Sequence, residues 1–444
     1  MNKHLTTIVA IATPIGRGGI GIIRLSGAQA FAIAKILSKR EHIEARKPYL
    51  SRWLDESGEV IDSGLLLYFA GPSSYTGEDV VELQGHGSPV LLHALLRRCI
   101  DLGCIPAEAG EFTRRAVENG CMDLSQAEAV VACIDAATER AAKQAQKHLA
   151  GSFGSHIESL MDKLTGIVAH VEACLDFPEE EIPTLFLQEL SDQLNADLIT
   201  PMKKMLATSQ FGERLFSGVS VAIVGAPNVG KSSLLNALSG RDRAIVSDIA
   251  GTTRDILEVD FEIHGIPVRL VDTAGLRISA DSIEQEGVRR AKEAAEVADI
   301  VVFVADASRN DTWIYDGHYD IAVLNKIDLL AASELNEGDF DGMLELSVSQ
   351  EQGLIDLLES LATLLGEKQV EGEDFLVTSE RHRIAIKRAL DYIEDALPML
   401  RSEESLDLAA LELRQAWSAL GEILGIGDVE HILDRVFSEF CIGK

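Results

Sequence analysis

Residues 219–238 hold the feature that most restricts how this chain can fold. An apolar, strand-forming run, Val219–Val224, leads into Gly225-Ala226-Pro227-Asn228-Val229-Gly230-Lys231-Ser232-Ser233, and a helical pattern begins at Leu234. This is the GxxxxGKS spacing in its strand–loop–helix setting. Glycines let backbone N–H groups wrap a chain of phosphates. Lys231 then reaches the β- and γ-phosphates, and the Ser232 hydroxyl ligates Mg²⁺. The expected nucleotide contacts of this loop are Asn228, Val229, Gly230, Lys231, Ser232 and Ser233.

Three more segments come in order downstream. Asp272-Thr273-Ala274-Gly275 closes the apolar run Val268–Val271. There Asp272 meets Mg²⁺ through water and the Gly275 amide senses the γ-phosphate. Asn325-Lys326-Ile327-Asp328 comes after Ile321–Leu324, and its carboxylate suits the paired N–H donors of guanine rather than adenine. The nucleotide is therefore expected to be GTP. Gly251-Thr252-Thr253-Arg254-Asp255 stands where a switch loop offers a threonine to Mg²⁺, with Thr253 preferred. Ser347-Val348-Ser349 takes the guanine-supporting position in place of the usual Ser-Ala-Lys, and only Ser347 is carried over from that pattern.

Hydrolysis needs a group that orients water and a charge that stabilises the transition state. In Ras-like GTPases the residue after the DTAG glycine is a glutamine that orients the water. Here it is Leu276, which cannot hydrogen-bond. The loop Arg277–Gly287 offers Asp281, Glu284 and Glu286 instead, and the residues alone do not choose among them.

The P-loop block is flanked by other textures. Residues 1–118 mix short apolar runs with turn-rich breaks such as Gly71-Pro72-Ser73-Ser74, which reads as a small α/β domain. Helical periodicity fills residues 119–215, including Ile157–Leu175 and Leu185–Leu206. Residues 216–371 form the strand–helix alternation. Helices resume over 372–444 as Arg381–Leu400, Leu406–Leu424 and Val429–Phe440. Helical segments that would bury little alone make sense as one domain split by an insertion. The expected fold is multidomain, α/β plus all-α, with a mostly parallel P-loop domain inserted into a helical one.

The net charge is −31, from 71 acidic and 40 basic residues. That balance repels a phosphate backbone, so any work on RNA would lean on a basic partner or a local patch. The six cysteines (Cys99, Cys104, Cys121, Cys133, Cys174, Cys441) lack CxxC spacing, which argues against structural zinc, and the first five read as small buried residues. There is no run of about 18 apolar residues and no secretory pattern at the start, so a cytoplasmic protein without membrane contact is expected. Gly16, Gly18 and Gly21 match GxGxxG, but Pro14 argues against a preceding strand and Ile20–Leu25 reads as strand rather than helix.

Beyond the P-loop, the chain resembles the MnmE (TrmE) family of tRNA-modification GTPases along essentially its whole length. The resemblance rests on Ala12-Thr13-Pro14-Ile15-Gly16-Arg17-Gly18-Gly19, Thr76-Gly77-Glu78-Asp79, Glu82-Leu83-Gln84-Gly85-His86-Gly87 and Asp123-Leu124-Ser125-Gln126-Ala127-Glu128-Ala129. Asp176-Phe177-Pro178-Glu179-Glu180 and the terminal Cys441-Ile442-Gly443-Lys444 complete it.

The resemblance implies that K⁺ replaces an arginine finger, held by Asn228, Ser247, Ile249 and Thr252. It extends the nucleotide contacts over Ser247, Asp248, Ile249, Ala250, Gly251, Thr252 and Thr253, and makes Glu284 the residue that positions water. It further implies a homodimer through the amino-terminal domain and a tetrahydrofolate one-carbon donor (5,10-methylene or 5-formyl). The folate contacts fall on Arg24, Glu82 and Lys444, with Cys121 where the family has a lysine. Cys441 is placed at the folate pocket as nucleophile, proton donor or packed thiol. The implied reaction, run with a larger FAD- and NADH-dependent partner of the MnmG (GidA) type, adds an aminomethyl or carboxymethylaminomethyl group at C5 of the tRNA wobble uridine. The GTPase motifs alone fit a ribosome-assembly switch as well, or a one-carbon enzyme whose assembly GTP gates. The amino-terminal and CIGK segments favour tRNA modification, and the acidic charge disfavours direct rRNA binding.

Overall fold

The computed structural model describes residues 6–14, 16–176, 184–241, 258–272, 293–308, 317–330, 342–366, 376–402, 405–427, 429–438 and 440–443. Their contacts form two compact units. One joins Met1–Val131, His148–Glu158 and Leu420–Lys444; the other joins Ala132–Lys147 and Ser159–Ala419.

The first unit is built on a six-stranded sheet of order β3-β4-β5-β2-β1-β6. Its strands are β1 (Ile8–Ile11), β2 (Gly18–Ser26), β3 (Tyr49–Leu54), β4 (Val60–Phe69), β5 (Val80–Gly87) and β6 (Ile105–Pro106). Every neighbouring pair is antiparallel except β1 with β6. Side chains alternate across the sheet. Ile23, Leu25, Val81 and Leu83 face inward and are buried, packed with Trp53, Leu66 and residues of α1 (Ala30–Ser38) and α2 (Pro89–Asp101). The register pairs Arg24 with Glu82 on the opposite face.

Two expectations are corrected here. A strand does precede the GxGxxG glycines: β1 is only four residues long, too short to stand out before Pro14. Gly18 and Gly21 themselves lie in β2, antiparallel to β1 with Ile8 opposite Ser26, so no helix N-terminus forms and there is no dinucleotide turn. Of the first five cysteines only Cys99 and Cys104 are buried, whereas Cys121 is exposed and Cys133 and Cys174 are half-buried. Cys99 sits on the sheet-facing side of α2, while Cys121 lies just beyond α3 (Glu111–Glu118).

The end of the chain returns to the first unit. Val429, Leu433, Phe437 and Phe440, around α14 (Glu430–Ser438), pack with Leu124 and Ala127 of α4 (Leu124–Asp135). Ile442 then bridges Ala109, and the Gly110 N–H donates to the Cys441 carbonyl at 3.4 Å. Gly443 is required: its φ is +101°, and a Cβ there would lie 2.4 Å from the Ile11 carbonyl oxygen.

In the second unit the helix expected over Leu185–Leu206 is present and runs without a break from α7 (Thr184–Leu194) into α8 (Thr200–Ser217). Between them the chain widens into a π turn, Asn195–Ile199, and the Thr200 N–H donates to the Asn195 carbonyl. Pro201 has no N–H with which to continue the α-helical ladder, which accounts for the break in register. Helix α12 (Glu380–Met399) packs along α8, with an Arg383–Glu213 ion pair at 3.1 Å.

The same unit holds a sheet of order β12-β11-β10-β7-β9-β8. Its strands are β7 (Val219–Val224), β8 (Glu258–Ile263), β9 (Ile266–Asp272), β10 (Ile300–Asp306), β11 (Ile321–Asn325) and β12 (Leu344–Leu346). Only β8 runs antiparallel to its neighbour. After β7 the chain moves to one side for β8 and β9, then crosses to the other side for β10 to β12. Strand β7 is therefore the switch point of the sheet, beyond whose carboxyl edge open α/β sheets bind ligands. No helix among the described residues is long and apolar enough to cross a membrane.

Candidate nucleotide-binding site

The loop after β7 meets α9 (Lys231–Arg241), so the first-turn N–H groups of that helix and the loop amides lie at the switch point. Val221 and Ile223 are buried, and Val229 and Leu234 pack into the same core, so the loop is anchored at both ends. Two residues bend it. Asn228 takes a left-handed conformation with φ +66°, and Gly230 has φ +105°. A Cβ on Gly230 would come within 2.3 Å of Asn325 Nδ2. Lys231 is buried, and its ammonium donates to the Gly225 and Ala226 carbonyls, each at 2.8 Å. Ser232 and Ser233 begin α9 with exposed side chains, and Asn228 is exposed as well.

The Asn-Lys-Ile-Asp segment is tied to this loop. Buried Asn325 donates from Nδ2 to the Val229 carbonyl at 2.8 Å. Lys326 donates to the Asn228 carbonyl at 2.7 Å and to Asp306 Oδ2 at 2.6 Å. The phosphate loop and the base-reading loop thus form one hydrogen-bonded assembly. At its far side Asp328 accepts from Ser347 Oγ at 2.6 Å and from Ser349 Oγ at 3.0 Å. The hydrogen bond from Ser347, with help from Ser349, holds the Asp328 carboxyl below its ordinary value. An ionised carboxylate in that position is an acceptor for the N–H pair on the Watson–Crick edge of guanine, and it has no donor to offer adenine.

The fold thus brings together Asn228, Val229, Gly230, Lys231, Asn325, Lys326, Asp328 and Ser347, with Ser232 and Ser233 at the helix start. Asp272 ends β9, the strand beside β7. Ser247, Asp248, Ile249, Ala250, Gly251, Thr252, Thr253, Thr273, Ala274, Gly275 and Glu284 lie outside the described residues, as does most of the short segment Asp306–Asp320. Sequence reasoning misses two participants. Asp306 closes β10 opposite Asn325, and the signal for it is an acid at the carboxyl end of an apolar strand. Ser349 is hidden because it departs from the usual lysine.

Away from this site, Arg24 and Glu82 are half-buried and paired, with Arg24 Nη2 at 2.8 Å and Nε at 3.0 Å from Glu82 Oε1. The guanidinium also lies over Tyr75 and Phe112, 5.6 and 5.9 Å from the ring centroids. Gln84 donates to the other Glu82 oxygen at 3.1 Å. Glu82, with acceptor capacity left over, can take a hydrogen-bond donor from a bound ligand. Cys121 is exposed, and its Sγ would lie 3.0 Å from a Cβ on Gly77. Cys441 is exposed on the returning tail; Lys444 lies outside the described residues.

Comparison with known proteins covers both parts. Residues 7–121 match the model of the GTP-binding protein TrmE N-terminus, and residues 124–441 match that of the MnmE helical domain. The tRNA modification GTPase MnmE of Acinetobacter baumannii (strain AYE) is 43% identical over 456 residues, covering 100% of both chains. That of Dichelobacter nodosus is 44% identical over 452 residues, 99% of each chain. That of Aquifex aeolicus is 42% identical over 446 residues, 98% of this chain and 99% of the other. With both models matched and identity sustained end to end, the chain belongs to the MnmE family of tRNA modification GTPases.

Proposed function

We propose that this protein is a K⁺-dependent GTPase that works with an FAD- and NADH-dependent partner on the tRNA wobble uridine. Together they install the aminomethyl or carboxymethylaminomethyl group at C5, using a tetrahydrofolate one-carbon unit. The observation that carries the nucleotide part is the linked pair of loops, with Asp328 fixed by Ser347 and Lys326 bonded to the Asn228 carbonyl. On this reading Asp328 takes guanine, while Lys231 and the first turn of α9 take the phosphates. Mg²⁺ falls to Ser232 and Thr253, and K⁺ to Asn228, Ser247, Ile249 and Thr252, where a bound cation would offset charge developing on the phosphates. Glu284 positions the water in place of Leu276. The folate falls to Arg24, Glu82 and Lys444, with Cys121 at the position where the family has a lysine and Cys441 at the pocket, in a homodimer formed by the amino-terminal domain.

A deletion strain tests the overall reading. Mass spectrometry of its tRNA should show the C5-modified wobble nucleoside missing and restored by the wild-type gene. Unchanged nucleosides with accumulating ribosomal subunits would sink it in favour of an assembly switch. For the hydrolytic step, turnover should need K⁺ and be largely lost in Glu284→Ala while GTP binding survives. Equal rates in Na⁺ and K⁺ would remove the K⁺ assignment.

A further inference from the structure

We infer that Ser349 is a specificity-determining residue for the guanine base: with Ser347 it locks the Asp328 carboxylate in the one orientation that leaves each oxygen free to take an N–H. The inference rests on the guanine-nucleotide reading above and deepens it.

A carboxylate offers about four acceptor positions, two on each oxygen. Here the two oxygens are engaged by different hydroxyls: Ser347 on Oδ1 at 2.6 Å and Ser349 on Oδ2 at 3.0 Å. One position is spent on each oxygen and one remains on each. That remainder matches the parallel N1–H and N2–H donors of guanine, which need two acceptors side by side in one plane. With a single serine the carboxylate could turn about its bond to Cβ, as a torsion of this type is soft. With two it cannot turn without breaking one of them.

The hydroxyl directions are set as well. Gln350 donates its backbone N–H to Ser347 Oγ at 3.3 Å, which points the Ser347 proton toward Asp328. The two hydroxyl oxygens are 3.1 Å apart. Ser347 is fully buried and backed by paired backbone bonds with Gln352 at 3.0 and 3.1 Å, so it is part of the loop's framework. Ser349 is exposed. Its contacts with Asp328 and Ser347 are its described side-chain hydrogen bonds, and both serve the base-reading carboxylate. A lysine in its place would bring a charge on a long stem rather than a short fixed hydroxyl.

The test is equilibrium binding of GDP and XDP to the full-length protein and to Ser349→Ala, Ser349→Thr and Ser349→Lys. Xanthine lacks the N2–H donor, so the Kd ratio of XDP to GDP reports how well the carboxylate is aimed. Ser349→Ala should lower that ratio about 3- to 10-fold, the range for one hydrogen bond, mostly by weakening GDP. Ser349→Thr should keep the wild-type ratio. An unchanged ratio in Ser349→Ala would overturn the inference. So would equal weakening of both nucleotides, which would mean a loosened loop. A Ser349→Lys ratio equal to wild type would show that the hydroxyl is not what aims Asp328. Wild type that fails to prefer GDP over XDP would instead sink the guanine reading beneath it, so the two failures are distinguishable.

Discussion

Lys326 Nζ lies 2.6 Å from Asp306 Oδ2, an ion pair that joins the carboxyl ends of two adjacent parallel strands. Burial alone would push the Asp306 carboxyl up. The hydrogen bonds from Lys326 and Ser308 outweigh it and hold the group below its ordinary value. A carboxyl lowered on folding stabilises the fold above its unfolded pKa of about 3.9, and that contribution is lost as pH falls through the lower folded-state value. Asp306→Asn should therefore be less stable than wild type by about 2 kcal/mol at neutral pH, the worth of a charged hydrogen bond. In thermal melts the gap should begin to narrow below about pH 4 and close as pH falls through the lower folded-state value. A gap that stays constant down to about pH 3 would exclude the ion pair as its cause.

Gly230→Ala should weaken nucleotide binding. The new methyl would meet the Asn325 amide nitrogen at 2.3 Å, at a φ of +105° that other residues rarely adopt. Strain of this kind costs about 1–3 kcal/mol, and relief would need the Asn325–Val229 link to break. The expected loss in GDP affinity is at least about tenfold. Unaltered affinity would mean the loop can move without Asn325.

Four of the six thiols should separate into two groups in a timed alkylation followed by mass spectrometry. Cys121 and Cys441 are exposed and should label first. Cys104 is buried, which pushes its thiol up to about 12, and burial also raises Cys99. Since the thiolate is the nucleophile, both should stay unlabelled until the protein is denatured. Rapid labelling of Cys99 in the native protein would contradict its place in the core under β2 and β5.

How much of this is legible in sequence depends on whether a residue acts through local spacing or through a distant partner. The P-loop and the Asn-Lys-Ile-Asp segment each come directly after a strand, and their chemistry is written in consecutive residues. Ser349 is not legible, because its value comes from a hydroxyl that closes on Asp328, 21 positions away. Asp306 is hidden for the same reason, 20 positions from Lys326. Strand β1 escapes notice because four residues carry too little alternation, and its pairing with β2 is tertiary. The π turn has a trace in Pro201, but proline in a first helical turn is ordinary, so the signal is ambiguous.

Thr138 offers a last test, on the hairpin between β8 and β9. Its hydroxyl donates to the Gly265 carbonyl at 2.6 Å and accepts the Ala141 N–H at 3.2 Å. One side chain thus caps the start of α5 (Glu139–Leu149) and holds the hairpin tip, where His264 and Gly265 have φ of +50° and +89°. Arg140 donates to the neighbouring His264 carbonyl at 2.7 Å while its guanidinium lies 4.8 Å from the Phe211 ring centroid. Thr138→Val keeps the shape and removes the hydroxyl, leaving a carbonyl and an N–H without their partner in a buried place. Loss of the cap and an unmet carbonyl together should cost about 2 kcal/mol in urea unfolding. Thr138→Ser should recover most of it, since the hydroxyl returns and only a methyl is lost. If the serine variant unfolds more readily than the valine variant, the methyl packing rather than the two hydrogen bonds holds this corner.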